Sequence, residues 1–550
     1  MKIEHFSEGD IMKNNSKDTD FDVILVGYGP VSKVAALLLD RLGWKVAVFE
    51  RWHEVYPLPR AVCIDHEVYR LLHAGGLGQL VDKVVDIAPV YRWYNANWQE
   101  LIMLDWPGGS VSGTSEVNFI HQPSFERELD AEVKRRNNIS VFFEHDCIEI
   151  NQHKDCATVT VKDLVSQEVK CCSAKYIIGA DGANSIVRES LHINRVDLGF
   201  EADWLVVDYM LNDGLSAVDL GLVECGQYCN PERPTTIVPG GKVNGCENRR
   251  WEFMRLPHET KEEMLNVEKV HSLLGDWIKP EQGELVRHAL YTFRSLVAEQ
   301  WRKNRILLAG DAAHVMPPFM GQGMCAGLRD VWNLIWKLDS VLRGEADESL
   351  LDTYEKERKP HVTDVIKLSM FLGNIICIPD QEKAAQRDAL FLSENRPQMQ
   401  PFPHLTGGFI AQNEEGQLLP CAGLLSPHGT VRYQRRTARL DRFTDSGKFK
   451  LIINNDFAAQ CLDDNIREML TLLDIQTVVV ADKCFAKDNE YADTQGQILS
   501  FMNTHNVKAL LVRPDHYLFA AAGNKTQLDD MLEQLARQLE QYGLCEAVVA

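Results

Sequence analysis

The 550-residue sequence contains no C-x-x-C pair, and its fourteen cysteines are scattered, with one adjacent pair at Cys171–Cys172. That layout excludes a disulfide scaffold and a structural zinc site. Cys225 with Cys229 is the nearest approach to a ligand pair and lacks further ligands at suitable spacing, so no metal is expected. Long apolar runs are also missing: nothing approaches the ~20 consecutive residues that a membrane helix needs. The first twenty residues are polar and of mixed charge rather than basic and then apolar, so residues 1–20 read as a disordered extension and the protein as cytoplasmic. Positive charge is in short supply, 58 Lys and Arg against 79 Asp and Glu, a net charge of −21. A general attraction to nucleic acid or to an anionic membrane is excluded on that balance, which leaves a small molecule as the expected partner. The chain exceeds the roughly 250–300 residues at which one core stops growing, so two or three cores are expected.

What is present is a set of strand ends rich in glycine and acid. Asp22 to Val26 is a β-branched run that enters Gly27-Tyr28-Gly29-Pro30; helical spacing follows over Val34 to Leu42, and a second strand over Lys45 to Glu50. Tyr176 to Ile178 leads into Gly179-Ala180-Asp181-Gly182, and Arg305 to Ala309 into Gly310-Asp311, ahead of a long amphipathic helix. Residues 204–293 alternate like strands and read as a separate β-rich sheet inserted into this α/β frame. Beyond Phe402-Pro403-His404 a last α/β pattern begins, with strands at Phe449 to Ile453, Thr477 to Ala481 and Lys508 to Val512 and a helix over Thr526 to Tyr542.

In Gly27-x-Gly29-x-x-Ser32 the first glycine permits a tight turn and the second lets a pyrophosphate approach a helix N-terminus, where free N–H groups and the dipole favour an anion. Ser32 stands where a third glycine is usual. Glu50 follows Gly27 by 23 residues (50 − 27) and ends the second strand, placed to accept hydrogen bonds from both ribose hydroxyls, which points to FAD or NAD. Gly310-Asp311-Ala312-Ala313-His314, with Pro317 to Met324, couples a strand-end acid suited to a polyol with a helix start suited to developing negative charge. Flavin has both a ribityl chain and a pyrimidine edge that becomes anionic on reduction.

Taken together, GYGPVS (Gly27 to Ser32), GADGANSIVR (Gly179 to Arg188) and GDAAHVMPPFMGQGMCAGLRDVWNLIWKL (Gly310 to Leu338) resemble the single-component flavin monooxygenases of the para-hydroxybenzoate hydroxylase type. Pro59 to Asp65, Asn248 to Phe253 and Leu511 to Tyr517 are similar to the 3-(3-hydroxyphenyl)propionate hydroxylase branch. The resemblance implies a Rossmann-like α/β FAD-binding domain interleaved with a β-rich substrate domain, followed by a C-terminal thioredoxin-like domain without C-x-x-C. The implied boundaries are residues 21–203 for the first part of the FAD domain, with an excursion near 90–120, and 204–293 for the substrate domain. Residues 294–403 carry the rest of the FAD domain and 404–550 the thioredoxin-like domain. Carried over residue by residue, Gly27, Gly29, Pro30, Val31, Glu50 and Arg51 hold the ADP half of noncovalent FAD. Arg60 and Gln122 lie beside the flavin, Asp181 supports the pyrophosphate region, Gly310 and Asp311 the ribityl chain, and Pro318, Gly321, Gly323 and Met324 line the ring. No second nucleotide fold for the NADH or NADPH co-substrate is expected.

The implied reaction is hydroxylation of a small phenolic acid ortho to its hydroxyl with NAD(P)H and O2 through a C4a-hydroperoxyflavin, with 3-(3-hydroxyphenyl)propanoate as the expected substrate. A hydrogen-bond acceptor must activate the phenol, and Asp65, His66 and Tyr228 are the candidates. Substrate carboxylate binding by Arg249 or Arg250 stays open beside a role in holding Glu252 or the sheet edge. His314 reads as a packing residue. Cys461 and Cys484 are isolated, so the terminal domain reads as structural, with a homodimer contact left open for it. A tailoring oxygenase of natural products and a catalytically silent flavin-binding scaffold are the alternatives; the halogenase signature W-x-W-x-I-P is missing.

Overall fold

A computed structural model describes residues 19–544, so most of the extension expected to be disordered lies outside the described residues. The chain divides into two compact units, the first made of residues 1–56, 126–196 and 297–315 and the second of residues 57–125, 197–296 and 316–550.

In the first unit five strands run parallel in the order Ile306–Leu308, Val169–Gly179, Phe21–Val26, Val46–Glu50, Ile139–Phe143. Their apolar, β-branched sequences suit strands covered on both faces, and Val23, Ile24, Leu25, Val46, Val48, Ile177 and Leu307 are all buried. Helix α1 (Pro30–Arg41) connects the strands Phe21–Val26 and Val46–Glu50, with Pro30 at its first turn where a missing N–H costs nothing. Register places Val26 beside Gly179 and Phe49, and Gly179 beside Leu308. The three glycine-and-acid turns therefore leave the same carboxyl edge of the sheet, the edge at which open α/β folds bind ligands.

The second unit contains a largely antiparallel sheet ordered Gly283–Ala298, Arg195–Leu211, Cys246–Met254, Thr235–Val243, Gly226–Cys229, Tyr91–Asn95, Glu100–Leu104. Alternation gives this sheet two apolar faces. One gathers Trp93, Trp204, Val238 and Phe319, the other Leu205, Val207, Trp251 and Phe253. Helices α2 (His66–Ala74), α3 (Gly323–Leu342) and α4 (Asp352–Ile376) of this unit each carry buried charged side chains. The C-terminal part carries a seven-stranded mixed sheet. Lys450–Asn454 pairs in parallel with Gln476–Asp482 and antiparallel with Ala509–Val512, which pairs antiparallel with Leu518–Ala522; helix α5 (Lys525–Gln541) closes it. Among the described residues no single helix is long and apolar enough to cross a membrane, and no cluster of His, Cys, Asp and Glu could hold a metal ion.

Candidate functional site

The glycine turn of the first unit is shaped by close backbone contact. Gly27 has φ +92°, and a Cβ there would meet Ala180 O at 2.7 Å, so a side chain is excluded both by conformation and by space. Over Gly29, which caps α1, a Cβ would meet nothing within 4 Å. That open approach ends at a helix whose first turn holds no acidic side chain, leaving its dipole for an anionic ligand. Glu50 is held at its strand end by two amides, Tyr28 N donating to Oε2 at 2.7 Å and Trp52 N to Oε1 at 3.0 Å. Each oxygen keeps a lone pair for a ribose hydroxyl. Arg51 is exposed and stacks over the Trp52 ring at 5.3 Å.

Sequence reading missed Lys33, one turn into α1 and fully buried. Its Nζ donates to Tyr28 O at 2.6 Å and to Glu126 at 2.7 Å, adding positive charge beneath the glycine turn. A lysine one turn inside an apolar helix start is the only local signal for it.

Asp181 is engaged locally. Ser185 Oγ donates to its Oδ1 at 2.5 Å and Val187 N to its Oδ2 at 3.1 Å, so the carboxylate organises the turn into the next helix while burial raises its pKa. Arg188 joins two motifs by donating to Ala183 O and to Ala312 O, each at 3.2 Å. Gly310 turns the chain with φ +60°, and Asp311 stands exposed at the strand end. His314 is buried against the Trp301 ring, 5.3 Å away, in a packing position.

In the second unit the segment Pro59-Arg60-Ala61 is gripped from both sides. Gln122 Oε1 accepts from Arg60 N at 2.9 Å and from Ala61 N at 2.5 Å. Arg250 donates to Pro59 O at 2.9 Å and to Arg60 O, and Arg287 also donates to Pro59 O. Asp208 fixes Arg250 with bonds of 2.8 and 3.1 Å. The Arg60 side chain is exposed on this clamped backbone. Arg250 thus serves the loop, and Arg249, turned to the other sheet face, donates to Val223 O at 2.7 Å and Glu224 O at 2.8 Å.

The loop Pro318–Gln322 closes with Gly321 N donating to Pro318 O at 2.8 Å, and Ser369 on α4 holds Pro317 O at 2.7 Å. Gly321 has φ +65°, and a Cβ there would collide with Cys63 Sγ. Gly323 and Met324 open α3, whose first turn has no acidic residue either. Phe319 is buried with ring centroids 5.6 Å from Trp204, 5.7 Å from Phe200 and 6.4 Å from Phe293, an aromatic wall beside the loop.

The three candidate bases are not brought together. Asp65 caps α2, accepting from Val68 N at 2.9 Å, and pairs with Arg329. Burial alone would raise its pKa, but Arg329, His66 and the amide outweigh that and hold it below the usual carboxylate range. His66 contacts Ser112 Oγ at 3.0 Å and Glu116 at 3.3 Å. Tyr228 donates to Ala96 O at 3.1 Å and stacks on Trp98 at 4.5 Å, edge-on to Trp277. Strand alternation turns it away from the face of its neighbour Gln227, which hydrogen-bonds Tyr91 of the Trp93 cluster. These contacts support capping, pairing and packing roles.

The open cradle over Gly29, the strand-end acids Glu50 and Asp311 and the start of α1 without acidic residues fit the ADP and ribityl parts of an FAD in the first unit. A family model described as "FAD binding domain" matches residues 20–369, and one described as "HcaD C-terminal domain" matches residues 423–538. The chain belongs to the FAD-binding aromatic hydroxylases, flavoprotein monooxygenases that take electrons from a reduced nicotinamide. Relatives include a "Probable NADH-specific resorcinol 4-hydroxylase" of Rhodococcus jostii, 32% identical over 94% of this chain and 94% of the relative. A 3-(3-hydroxy-phenyl)propionate/3-hydroxycinnamic acid hydroxylase of Comamonas testosteroni is 33% identical over 76% of this chain and 72% of the relative. Among solved structures, the flavin-dependent monooxygenase PieE in complex with FAD and substrate shares the fold with TM-score 0.76 at 20% identity, covering 95% of this chain and all of that one.

Proposed function

We propose that this enzyme hydroxylates a small meta-substituted phenol ortho to its hydroxyl, using NAD(P)H and O2. The observation that carries this reading is the aromatic wall of Phe200, Trp204 and Phe293 around Phe319, next to a loop that opens a helix without acidic residues. When bound, FAD would supply two-electron reduction by the nicotinamide and the activation of oxygen for transfer to the ring. Gly27, Gly29, Pro30, Val31, Glu50 and Arg51 would hold its ADP half, and Gly310 with Asp311 the ribityl chain. The N-terminus of α3 at Gly323 and Met324 would stabilise negative charge developing on the flavin's pyrimidine. Arg60, on its clamped backbone, and Gln122 would hold the ring with Pro318 and Gly321. The wall orients the phenol and excludes water from the reacting atoms.

For the substituent, the sequence motifs favour a propanoate and the geometry favours an uncharged group. A buried carboxylate requires a cation, since leaving a buried charge unpaired costs on the order of 3–5 kcal/mol. Arg250 is committed to Asp208 and to backbone carbonyls, Arg249 keeps one unpartnered Nε–H but lies on the other sheet face, and Arg387, buried beside Ile375 and Cys229 of the same cluster, donates to both their carbonyls and to Asp388. We therefore infer a second hydroxyl at the meta position, as in resorcinol. Incubation with resorcinol or with 3-(3-hydroxyphenyl)propanoate under labelled oxygen, followed by mass spectrometry, tests both levels. One labelled oxygen in benzene-1,2,4-triol is expected. A higher kcat/KM for the acid reverses the choice of substituent; NADH oxidation that yields only hydrogen peroxide with either phenol ends the phenol reading.

The C-terminal path of a hairpin, a strand, two helices, two strands, a helix, two antiparallel strands and a helix supports a thioredoxin-like domain that lacks the dithiol.

A further inference from the structure

The motif Leu511 to Tyr517 has no part in the site described above, yet its residues are among the most deeply buried polar groups of the second unit. Arg513 N donates to Tyr517 O at 2.9 Å and His516 N to Arg513 O at 3.0 Å, closing a tight turn in which His516 adopts φ +67°. From this turn four side chains reach three helices. Arg513 pairs with Glu357 of α4 at 2.6 Å. Asp515 accepts from Asn333 of α3 at 2.9 Å, and Asn333 also donates to Glu357 at 2.6 Å. Lys337 of α3 completes the group, 2.9 Å from both Glu357 and Asn333 Oδ1. His516 Nδ1 lies 3.3 Å from Arg70 of α2. Tyr517 packs edge-on against His361 of α4, ring centroids 6.2 Å apart, and burial, with the Glu67 carboxylate of α2 adding to it, pushes the phenol well up. Glu67 in turn accepts from Arg329 Nε at 2.5 Å; Arg329 also pairs with Asp65 and donates at 2.9 Å to Gln322, the last residue of the Pro318–Gln322 loop.

We propose that the Arg513–Tyr517 turn of the C-terminal domain is a positioning element for the Pro318–Gln322 loop, fixing the helix that leaves the loop and the Arg329 that holds its end. This rests on the reading that the loop lines the flavin ring. Arg513, Lys337, Glu357, Asn333 and Asp515 are all at most 1% exposed. Buried ion groups add little net stability over apolar packing of the same volume, but their multidentate bonds admit few geometries. A small displacement of a loop lining the reacting atoms is felt in the chemistry even when its cause lies far away.

The test compares Asp515→Ala and Tyr517→Phe in the full-length holoenzyme with Leu535→Ala, a core truncation in α5 that lowers the Tm without touching the turn. The visible circular dichroism of bound FAD and the peroxide released per NADH are the readouts. Both turn variants are expected to shift the flavin band and to lose coupled product by roughly tenfold or more relative to Leu535→Ala. Tyr517→Phe, which removes only a hydroxyl, decides the matter if Asp515→Ala fails to accumulate. Turn variants whose flavin band and coupling match Leu535→Ala overturn the proposal. Gly321→Ala separates the two levels. If it leaves the band unchanged, the flavin-loop reading falls and the proposal with it; if it shifts the band while the turn variants do not, only the role of the turn is lost.

Discussion

Two buried groups of charge in the second unit invite comparison, because they contain similar residues and treat their acids in opposite ways. In the antiparallel sheet, Arg250 and Arg287 accompany Asp208 and Glu252; at the C-terminal turn, Arg513 and Lys337 accompany Glu357 and Asp515. Burial pushes Glu252 up to about 7, since Arg250 only partly offsets it from 4.0 Å and Asp208 adds repulsion. Glu357 is equally buried, yet Arg513 and Lys337 with the hydrogen bonds of Arg513 and Asn333 outweigh desolvation and hold it at about 2. Phe409 N adds a further donor at 2.8 Å. The Lys337 ammonium falls to about 8 because burial exceeds what its acids return. The lesson is that the number of charges does not decide ionisation inside a protein; the donors aimed at each oxygen do. Arg250 aims its donors at Asp208 and at the carbonyls of Pro59 and Arg60, so Glu252 is left with its proton held more tightly.

The contrast is broken most strongly by removing the best-served acid. Glu357→Ala leaves Arg513 and Lys337 buried beside Asp515 alone, and a loss of about 3–5 kcal/mol is expected, measured by urea denaturation of the holoenzyme. A loss below about 1 kcal/mol would mean that the group relaxes into water.

Titration sharpens the comparison with a smaller effect. The folded chain releases the Glu357 proton more readily than the unfolded chain, so this residue contributes fully above its ordinary value of 4.5 and its contribution is lost as pH falls toward 2. Glu252 runs the other way: the folded chain binds its proton more tightly, so its contribution is full below 4.5 and is lost as pH rises through about 7. Glu252→Gln should therefore flatten the decline in Tm between those two values, and leave the acid limb in place. An unchanged slope over that window would mean that Glu252 is ionised in the folded protein.

The smallest expected effect concerns the thiols of the terminal domain. Cys461 is buried and Cys484 exposed, and each is free. Replacing both with serine should leave coupled hydroxylation unchanged at matched folding, so a selective loss of flavin reduction in a well-folded double variant would assign them a redox role.

The glycine turn and the strand-end acid of the first unit were the most legible part of the sequence. Gly27 needs a positive φ and room against Ala180, and Glu50 needs to end a strand; such demands act on a few neighbouring residues and leave a spaced pattern. The candidate bases were less legible. A polar residue after a strand can cap a helix, pair with a distant arginine or face a substrate, and Asp65 performs the first two. Tyr228 could not be assigned to a sheet face until register was known, because a shift of one residue exchanges the faces.

By itself, the sequence determined the βαβ start, the glycine-and-acid strand ends and the absence of a dithiol, all properties of short segments whose backbone geometry is set by adjacent residues. Only the tertiary structure decided what the buried arginines do. Arg250 meets Pro59 across 191 residues and Arg513 meets Glu357 across 156, contacts that exist because packing removes these groups from water and leaves them the nearest acceptors, wherever in the chain those lie.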